Sequence, residues 1–220
     1  MKSIKFKILV ITLFAITTIV LSNPCSWADV IFNDFGPGDT YNNTVGYGLS
    51  VGSPVMVDWD QGHAFTPVGT DYFLYTIKLA VGLVVGPNEL DIWLMTDLGG
   101  KPGAIIESFN FSNAMGYFGD YNPPLVANSL LHPLLSANTQ YWLIASTPGP
   151  DEWAGWNFNS ENVTGPHAWR TDLGAWNVYY DPMAAFSITG TPVPEPTTMI
   201  LLGSGLIGLA GYGRKKFFKK

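Results

Sequence analysis

The sequence of 220 residues contains a single cysteine, Cys25, which lies near the N-terminus. One thiol cannot close an intrachain disulfide, and residues 29–190 contain no thiol at all. Disulfides, thiolate nucleophiles and cysteine metal ligands are therefore excluded from this central region. Its stability must come from packing.

Basic residues are almost as scarce in the same region. Lys78, Lys101 and Arg170 are its only lysines and arginine, against sixteen acids, so its formal net charge is −13. Nothing there offsets the repulsion of phosphate groups. We therefore expect neither nucleic acid nor an anionic membrane surface as a partner, whereas cations, neutral glycans and basic proteins stay open.

Residues 29–190 also lack any convincing 3.6-residue apolar period with helix caps. Short apolar stretches alternate with turn residues instead, and 14% of the whole chain is aromatic. About 160 residues suffice for one domain with a core of its own. About eight to eleven strands at this spacing predict an all-β fold, an antiparallel β-sandwich of jelly-roll type.

The clearest strand signal lies between residues 73 and 81, where apolar residues alternate with Thr76 and Lys78. Because the side chains of a strand point to its two faces in turn, this pattern predicts one buried face. The predicted buried side chains are Phe73, Tyr75, Ile77, Leu79 and Val81. The same alternation in Leu90, Ile92 and Leu94 predicts a further strand.

Residues 1–28 have the pattern of a secretory signal peptide. Three lysines among the first seven residues precede an apolar run from Ile8 to Leu21, and Ser26-Trp27-Ala28 offers small residues at a cleavage site. Cleavage after Ala28 would remove Cys25. The alternative is a lipoprotein that begins at Cys25, for which residues 22–24 are a poor lead-in.

Residues 191–220 form a second special segment with three parts. The motif Pro194-Glu195-Pro196 and the nearby Pro192 predict an extended piece that cannot join a sheet or a helix. Residues 197–213 then carry no charge over 17 residues, the lower limit for a helix that spans a bilayer. Residues 214–220 include five basic side chains, which stay on the cytoplasmic side of a membrane. We therefore expect a single transmembrane helix over residues 197–213.

This order of motif, short apolar span and basic tail resembles the PEP-CTERM sorting signal of exported bacterial proteins. The resemblance implies transient anchoring in the inner membrane. An exosortase, a membrane-embedded processing enzyme, would then cut near Pro194-Glu195-Pro196 and release the protein to the cell surface or the extracellular matrix. The alternative is an ordinary single-pass tail anchor.

Three further stretches, residues 35–42, 101–109 and 138–143, look similar to the exported "choice-of-anchor" domains. Such modules occur with alternative surface anchors. The resemblance implies a β-rich surface domain over most of residues 29–190, and it implies no settled activity and no catalytic residues.

Metal-binding patterns are few. His63, His132 and His167 are far apart and none has a metal-ligand spacing, so we expect no zinc. Asp58 and Asp60 are candidate calcium ligands, because alternate carboxylates followed by a glycine resemble the start of a calcium loop. The distal glutamate of an EF-hand loop is missing, and solvated acids beside a buried tryptophan explain the pattern equally well. We therefore expect no cofactor, with Ca²⁺ as the alternative.

Two patterns raise the question of catalysis. The stretch Gly48-Leu49-Ser50-Val51-Gly52 matches a nucleophile elbow, but that motif needs a strand–turn–helix unit, which β-rich sequence does not offer. Paired carboxylates such as Asp151-Glu152 could hydrolyse a glycosidic bond across a cleft. With sixteen acids some pair meets that distance by chance, so we expect no enzyme.

Four tryptophans crowd the final third of the domain among Asn, Gly and Asp residues. They are Trp153, Trp156, Trp169 and Trp176. Exposed aromatic rings suit the apolar faces of sugars, whereas buried rings would supply the bulk that a sandwich without disulfides needs. We therefore expect a non-enzymatic protein of the cell surface or extracellular matrix, associated with exopolysaccharide or biofilm. The first alternative is a glycan-binding module that uses these tryptophans, and the second is a glycoside hydrolase.

Overall fold

The computed structural model describes residues 28–52, 55–194 and 202–208. Fifteen strands lie in these ranges. They are β1 (Asp29–Asn33), β2 (Tyr41–Val51), β3 (Trp59–Phe65), β4 (Tyr72–Leu79), β5 (Val81–Val85), β6 (Glu89–Asp97), β7 (Pro102–Ser112), β8 (Gly116–Tyr117), β9 (Leu125–Asn128), β10 (Leu134–Leu135), β11 (Tyr141–Ser146), β12 (Glu152–Asn159), β13 (Thr164–Thr171), β14 (Asn177–Pro182) and β15 (Phe186–Pro192). The expected signal peptide lies outside the described residues, except for Ala28.

The strands form two sheets, and the predicted antiparallel β-sandwich is confirmed. The smaller sheet has the order β1-β15-β4, with β9 and β10 both paired to β4. The larger sheet has the order β7-β6-β11-β3-β2-β12-β5-β8, and the β13–β14 hairpin joins it through β3. Neighbouring strands are antiparallel, except that β5 and β8 are parallel.

The main core lies between the two sheets and follows the period of two. Leu90, Ile92 and Leu94 of β6 are completely buried, as their alternation predicts. The smaller sheet contributes Ile77 and Ile188 to the same core. Each of these side chains stabilises the fold by about 1.5–3 kcal/mol through burial of apolar surface.

The predicted buried face of residues 73–81 is wrong at its beginning. Phe73 is 44% exposed and Tyr75 is 50% exposed, whereas Leu74 is completely buried. The cause is a β-bulge, because Thr189 pairs with Thr76 but Gly190 already pairs with Leu74. The extra residue shifts the alternation by one position on its N-terminal side.

The larger sheet is also covered on its opposite face around β11. Trp142 and Ile144 of β11 point into a second cluster, together with Ala64, Met95 and Ala168. The indole Nε1 of Trp142 donates a hydrogen bond of 2.7 Å to Oδ1 of Asp97. Because both of its faces are covered, β11 is buried at every residue.

The C-terminal region is described only in part. Residues 202–208 are helical, and they lie inside the expected span of residues 197–213. Within the described ranges, no helix has the length and apolar character needed to cross a bilayer. The remainder of the expected span, Glu195-Pro196 and the basic tail 214–220 lie outside the described residues.

Candidate functional site

The four candidate tryptophans have four different environments, and Trp156 belongs to the core. It is completely buried in the main cluster between the sheets. Its Nε1 donates a hydrogen bond of 3.0 Å to the carbonyl oxygen of Ala185. Trp156 therefore has no face for a sugar ring, and its candidacy as a glycan contact is corrected. On β12 it lies on the core side, three positions from the exposed Trp153.

Trp176 packs on the outer side of the larger sheet. The guanidinium carbon of Arg170 lies 4.5 Å from the Trp176 ring centroid and 5.8 Å from that of Trp93. Nζ of Lys101 also donates a hydrogen bond of 3.1 Å to the Trp176 carbonyl oxygen. These contacts give Trp176 a structural role, because its ring covers the second cluster.

The carboxylates of Asp58 and Asp60 already have partners. Nε of Arg170 donates a hydrogen bond of 2.6 Å to Oδ2 of Asp60, which is buried. The backbone amide of Gly52 donates to Oδ1 of Asp58 at 3.1 Å. A cation at Asp60 would have to compete with Arg170, so the structure gives no support to this pair as a calcium site.

Trp169 belongs to a group of three neighbouring rings, which we call the aromatic strip: Trp59, Trp169 and Tyr179. The ring centroids of Trp59 and Trp169 are 5.2 Å apart, and those of Trp169 and Tyr179 are 6.4 Å apart with planes only 9° from parallel. Tyr179 is 57% exposed, and the two tryptophans are half-buried.

Strand pairing brings the aromatic strip together. Trp169 of β13 pairs with Gln61 of β3 on one side and with Asn177 of β14 on the other. Trp59 and Tyr179 each lie two residues from those partners, so all three rings share one face as diagonal neighbours. Trp153 is 36% exposed and lies two strands away from Trp59, since both pair with Ser50.

His167 lies on the same face of β13 as Trp169 and borders the aromatic strip. Its ring lies 3.9 Å from that of Tyr47, centroid to centroid, and its Nε2 is 2.8 Å from Oε1 of Gln61. The amide of Gln61 donates to the carbonyl oxygen of Gly48 at 2.9 Å, which orients Oε1 towards His167 as an acceptor. His167 Nε2 therefore donates. Its Nδ1 lies 3.3 Å from Oδ2 of Asp181. Burial lowers the pKa of His167, and Asp181 opposes that effect.

His63 and His167 converge, although their separation in the sequence gave no sign of it. They are directly paired across β3 and β13, and their ring centroids are 5.0 Å apart. His63 is completely buried, and burial followed by the proximity of His167 holds its pKa well below the ordinary value. Nε2 of His63 accepts a hydrogen bond of 3.1 Å from the amide of Ala184.

His132 lies apart from the other two histidines, with its Nδ1 2.9 Å from the carbonyl oxygen of Leu74. The described ranges hold no group of three or more His, Cys, Asp or Glu residues that could bind a metal.

The residues considered for catalysis have structural surroundings. Ser50 lies within β2, is 2% exposed, and its hydroxyl donates to the carbonyl oxygen of Val57 at 2.6 Å. A strand interior is not the strand–turn–helix of a nucleophile elbow. Glu152 is completely buried at the start of β12, whereas Asp151 is exposed. Adjacent in sequence, the two carboxylates differ in their access to solvent.

The last strand runs directly into the proline-rich motif. Pro192 pairs with Tyr72 at the end of β15, and the amide of Val193 donates to the carbonyl oxygen of Asp71 at 2.8 Å. The expectation that Pro192 stays out of a sheet is therefore wrong. A proline is tolerated at such a strand end because its missing N–H leaves the rest of the ladder intact. The sandwich is hydrogen-bonded up to residue 193.

Sequence reasoning missed Trp59 and Tyr179 as members of the strip. It treated Trp59 only as a buried tryptophan beside Asp58 and Asp60, and it did not name Tyr179 among the candidate glycan contacts. No local pattern in either segment marks these two rings as neighbours of Trp169. The pairing of β3 with β13 could not be read from either segment.

No curated protein and no solved structure shows significant similarity to the chain. A comparison with known families matches residues 192–215 to the PEP-CTERM protein-sorting motif. The match begins at the residue where β15 ends, and it includes Pro194-Glu195-Pro196. The chain thus carries a PEP-CTERM protein-sorting motif, which marks it as an exported, exosortase-targeted surface protein.

Proposed function

We propose that the sandwich is a non-enzymatic structural or interaction module of the cell surface or extracellular matrix, associated with exopolysaccharide or biofilm. The observation that carries the proposal is the junction at residue 193, where the last hydrogen bond of the sandwich meets the sorting motif. Because the domain is hydrogen-bonded up to its sorting motif, cleavage near that motif would release it as an intact folded domain. Its acidic surface keeps it soluble outside the cell and away from anionic lipid.

The pathway has three steps in this proposal. The signal peptide, residues 1–28, directs export. The apolar segment 197–213 holds the protein transiently in the inner membrane, with the basic tail 214–220 on the cytoplasmic side. An exosortase-type enzyme then cuts near Pro194-Glu195-Pro196, and the domain continues to the surface or matrix.

The mass of the protein recovered from surface and medium tests this pathway. We expect the loss of about 28 residues at the front, as signal-peptide cleavage predicts, and of about 25 at the back. Glu195→Gln should cause unprocessed protein to accumulate in the membrane fraction, whereas Glu161→Gln, an exposed glutamate of the sandwich, should be processed normally. Released protein that retains residues 214–220 would contradict the proposal.

A second candidate function is the binding of neutral polysaccharide by the aromatic strip. Two nearly parallel rings with a third beside them, Trp169, Tyr179 and Trp59, offer the flat apolar surfaces that sugar C–H faces contact. Asn177 and Asp181 flank Tyr179 on β14 and supply hydrogen-bonding groups. The net charge of −13 disfavours an acidic polysaccharide.

Neighbouring tyrosines of β14 provide a matched test. Tyr179 and Tyr180 are both exposed, at 57% and 71%, but successive strand residues point to opposite faces. We expect Tyr179→Ala to weaken retention in affinity gels that contain neutral polysaccharide by about tenfold, which corresponds to about 1.4 kcal/mol. Tyr180→Ala should leave retention unchanged. Equal behaviour of the two variants would remove the aromatic strip as the binding surface.

The third candidate, glycoside hydrolysis, has no specific observation in its favour. Turnover on a panel of polysaccharides by the purified protein would revive it.

A further inference from the structure

A buried carboxylate with an unpartnered oxygen lies at one end of the larger sheet. Glu152, the first residue of β12, is completely buried. Its Oε1 accepts a hydrogen bond of 2.6 Å from the backbone amide of Glu89, but its Oε2 has no hydrogen-bond partner of normal geometry among the described residues. A charged oxygen in that position is costly, because water is excluded and the nearby backbone amides of Asn88 and Gly149 offset its loss only in part.

A second carboxylate approaches the same small space. A Cβ built on Gly149 would lie 2.5 Å from Oε2 of Glu152 and 3.4 Å from Oε2 of Glu89. Both oxygens therefore lie close to this glycine, together with Cγ of Pro87 at 3.1 Å from the same position, and any larger residue would collide with Oε2 of Glu152. Glu89 is half-buried, so part of its side chain is in contact with solvent. Two residues before Gly149, the fully buried hydroxyl of Thr147 also lacks a hydrogen-bond partner within the part of the chain that the structure describes.

Basic side chains of the sandwich do not neutralise this pair. Nζ of Lys78 is 2.7 Å from Asp39, and Nε of Arg170 is 2.6 Å from Asp60. Lys101 donates to a backbone carbonyl at Trp176. These are the only lysines and arginine of residues 29–190, so the charge must be balanced by a proton or by an ion from outside.

The electrostatics of Glu152 agree with an incomplete site. Burial raises its pKa, and the charge of Glu89 adds to that effect. The backbone amides of Glu89, Asn88 and Gly149 act in the opposite direction. A cation between the two side chains would favour the ionised form of the buried Glu152 carboxylate.

We propose that Glu89 and Glu152 bind a single divalent cation, Ca²⁺, beside Gly149. Carboxylate oxygens are the ligands that this hard cation prefers, and it accepts six to eight oxygens in flexible geometry, so water and backbone carbonyls can complete its shell. Two carboxylates balance its charge. Calcium modules of exported proteins bind with Kd of about 10⁻⁴–10⁻³ M, and we expect a site with two carboxylates to fall in this range.

The cation would join three separate segments of the chain. These are the first residue of β6, the loop after β11 and the first residue of β12. These segments pack closely at Gly86, in the turn before β6. A Cβ built on Gly86 would lie 2.7 Å from the α-carbon of Glu152, and the φ of Gly86 is +118°. Calcium would therefore stabilise this end of the sandwich and not a distant surface loop.

The test uses the full-length protein in detergent, freed of metal with EDTA and titrated with CaCl₂ in a calorimeter and in thermal unfolding. We expect one Ca²⁺ per chain and, at a tenfold excess over Kd, a rise in Tm of about 3–6 °C. Glu89→Gln should remain folded and lose this response. Asp91→Asn is the matched control, since Asp91 lies two residues further on the same face of β6 and is bonded to Asn110. It should keep the response.

Glu152→Gln separates a cation site from a purely structural carboxylate. Without calcium this variant should be at least as stable as the wild type at pH 7, because the amide removes a buried charge. With calcium the wild type should be the more stable of the two. The proposal is overturned if Tm does not change up to about 10 mM CaCl₂, or if Glu89→Gln responds like the wild type. It is equally overturned if Glu152→Gln is the less stable protein in EDTA.

Discussion

Asp34 provides the sharpest test of the energetics of this sandwich. It follows β1 and is 1% exposed. Its Oδ1 accepts a hydrogen bond of 2.7 Å from the amide of Phe186, and its Oδ2 has no hydrogen-bond partner in residues 28–52, 55–194 and 202–208. Burial raises the pKa of Asp34 to about 7, and the hydrogen bond from Phe186 only partly opposes this.

The sign of the pH dependence follows from this shift. In the unfolded chain the pKa is near 3.8, so between pH 4 and pH 7 the folded protein holds a proton that the unfolded chain has lost. The contribution of Asp34 to stability is therefore fully present below about pH 4, and it is lost as the pH rises through about 7. A shift of about three units corresponds to at most about 4 kcal/mol.

The substitution Asp34→Asn tests this reasoning. The amide oxygen can still accept from Phe186, and the side chain can no longer ionise. We expect the variant and the wild type to be about equally stable at pH 4, and the variant to be more stable by up to about 4 kcal/mol at pH 9. Urea unfolding followed by tryptophan fluorescence measures the difference at both pH values.

Asp120→Asn is the control, because Asp120 is exposed and its replacement should change the free energy of unfolding by no more than about 0.5 kcal/mol. If the difference between Asp34→Asn and the wild type were the same at pH 4 and pH 9, Asp34 would not be the titrating group. If the variant were less stable at pH 9, the ionised carboxylate would be a favourable part of the fold.

Three further substitutions test other parts of the structure by urea unfolding. Trp156→Ala should cost about 3–5 kcal/mol, because it leaves a cavity in the main core; a cost below about 1 kcal/mol would contradict the burial of this ring. Glu107→Ala should cost about 2–4 kcal/mol, since the buried carboxylate accepts three hydrogen bonds that tie down the loop after β9. Arg170→Met should cost about 3 kcal/mol by leaving Asp60 buried and unpaired, and the double change with Asp60→Leu should recover most of that loss.

The fold was predictable from the sequence where the alternation of apolar residues continues through a strand whose pairing is regular. Leu90, Ile92 and Leu94 alternate in the sequence and are buried together, because β6 is regular along this stretch. Tyr75 was misplaced because it is the extra residue of a bulge in β4, which is defined by the pairing with β15, more than 100 residues away. A period of two contains no information about where such a pairing leaves an extra residue.

The candidate surface was less predictable than the fold. A cluster in sequence, residues 153–176, suggested a cluster in space, but alternation and turns distribute its tryptophans over the core, the outer face and the aromatic strip. Gln61 and His167 are hydrogen-bonded across 106 positions of sequence. Composition can indicate that aromatic rings are numerous, but only the strand order decides which of them become neighbours.

The hydrogen bond between Val193 and Asp71 has a geometric consequence for processing. Only residues 194–196 separate this bond from the first residue of the apolar segment, Thr197. Three residues can span at most about 10 Å. In the proposed pathway, insertion of residues 197–213 would therefore hold the domain close to the lipid headgroups, and the exosortase would have to cut in the narrow gap between them. Cleavage there would leave only a few residues beyond the last strand of the released domain.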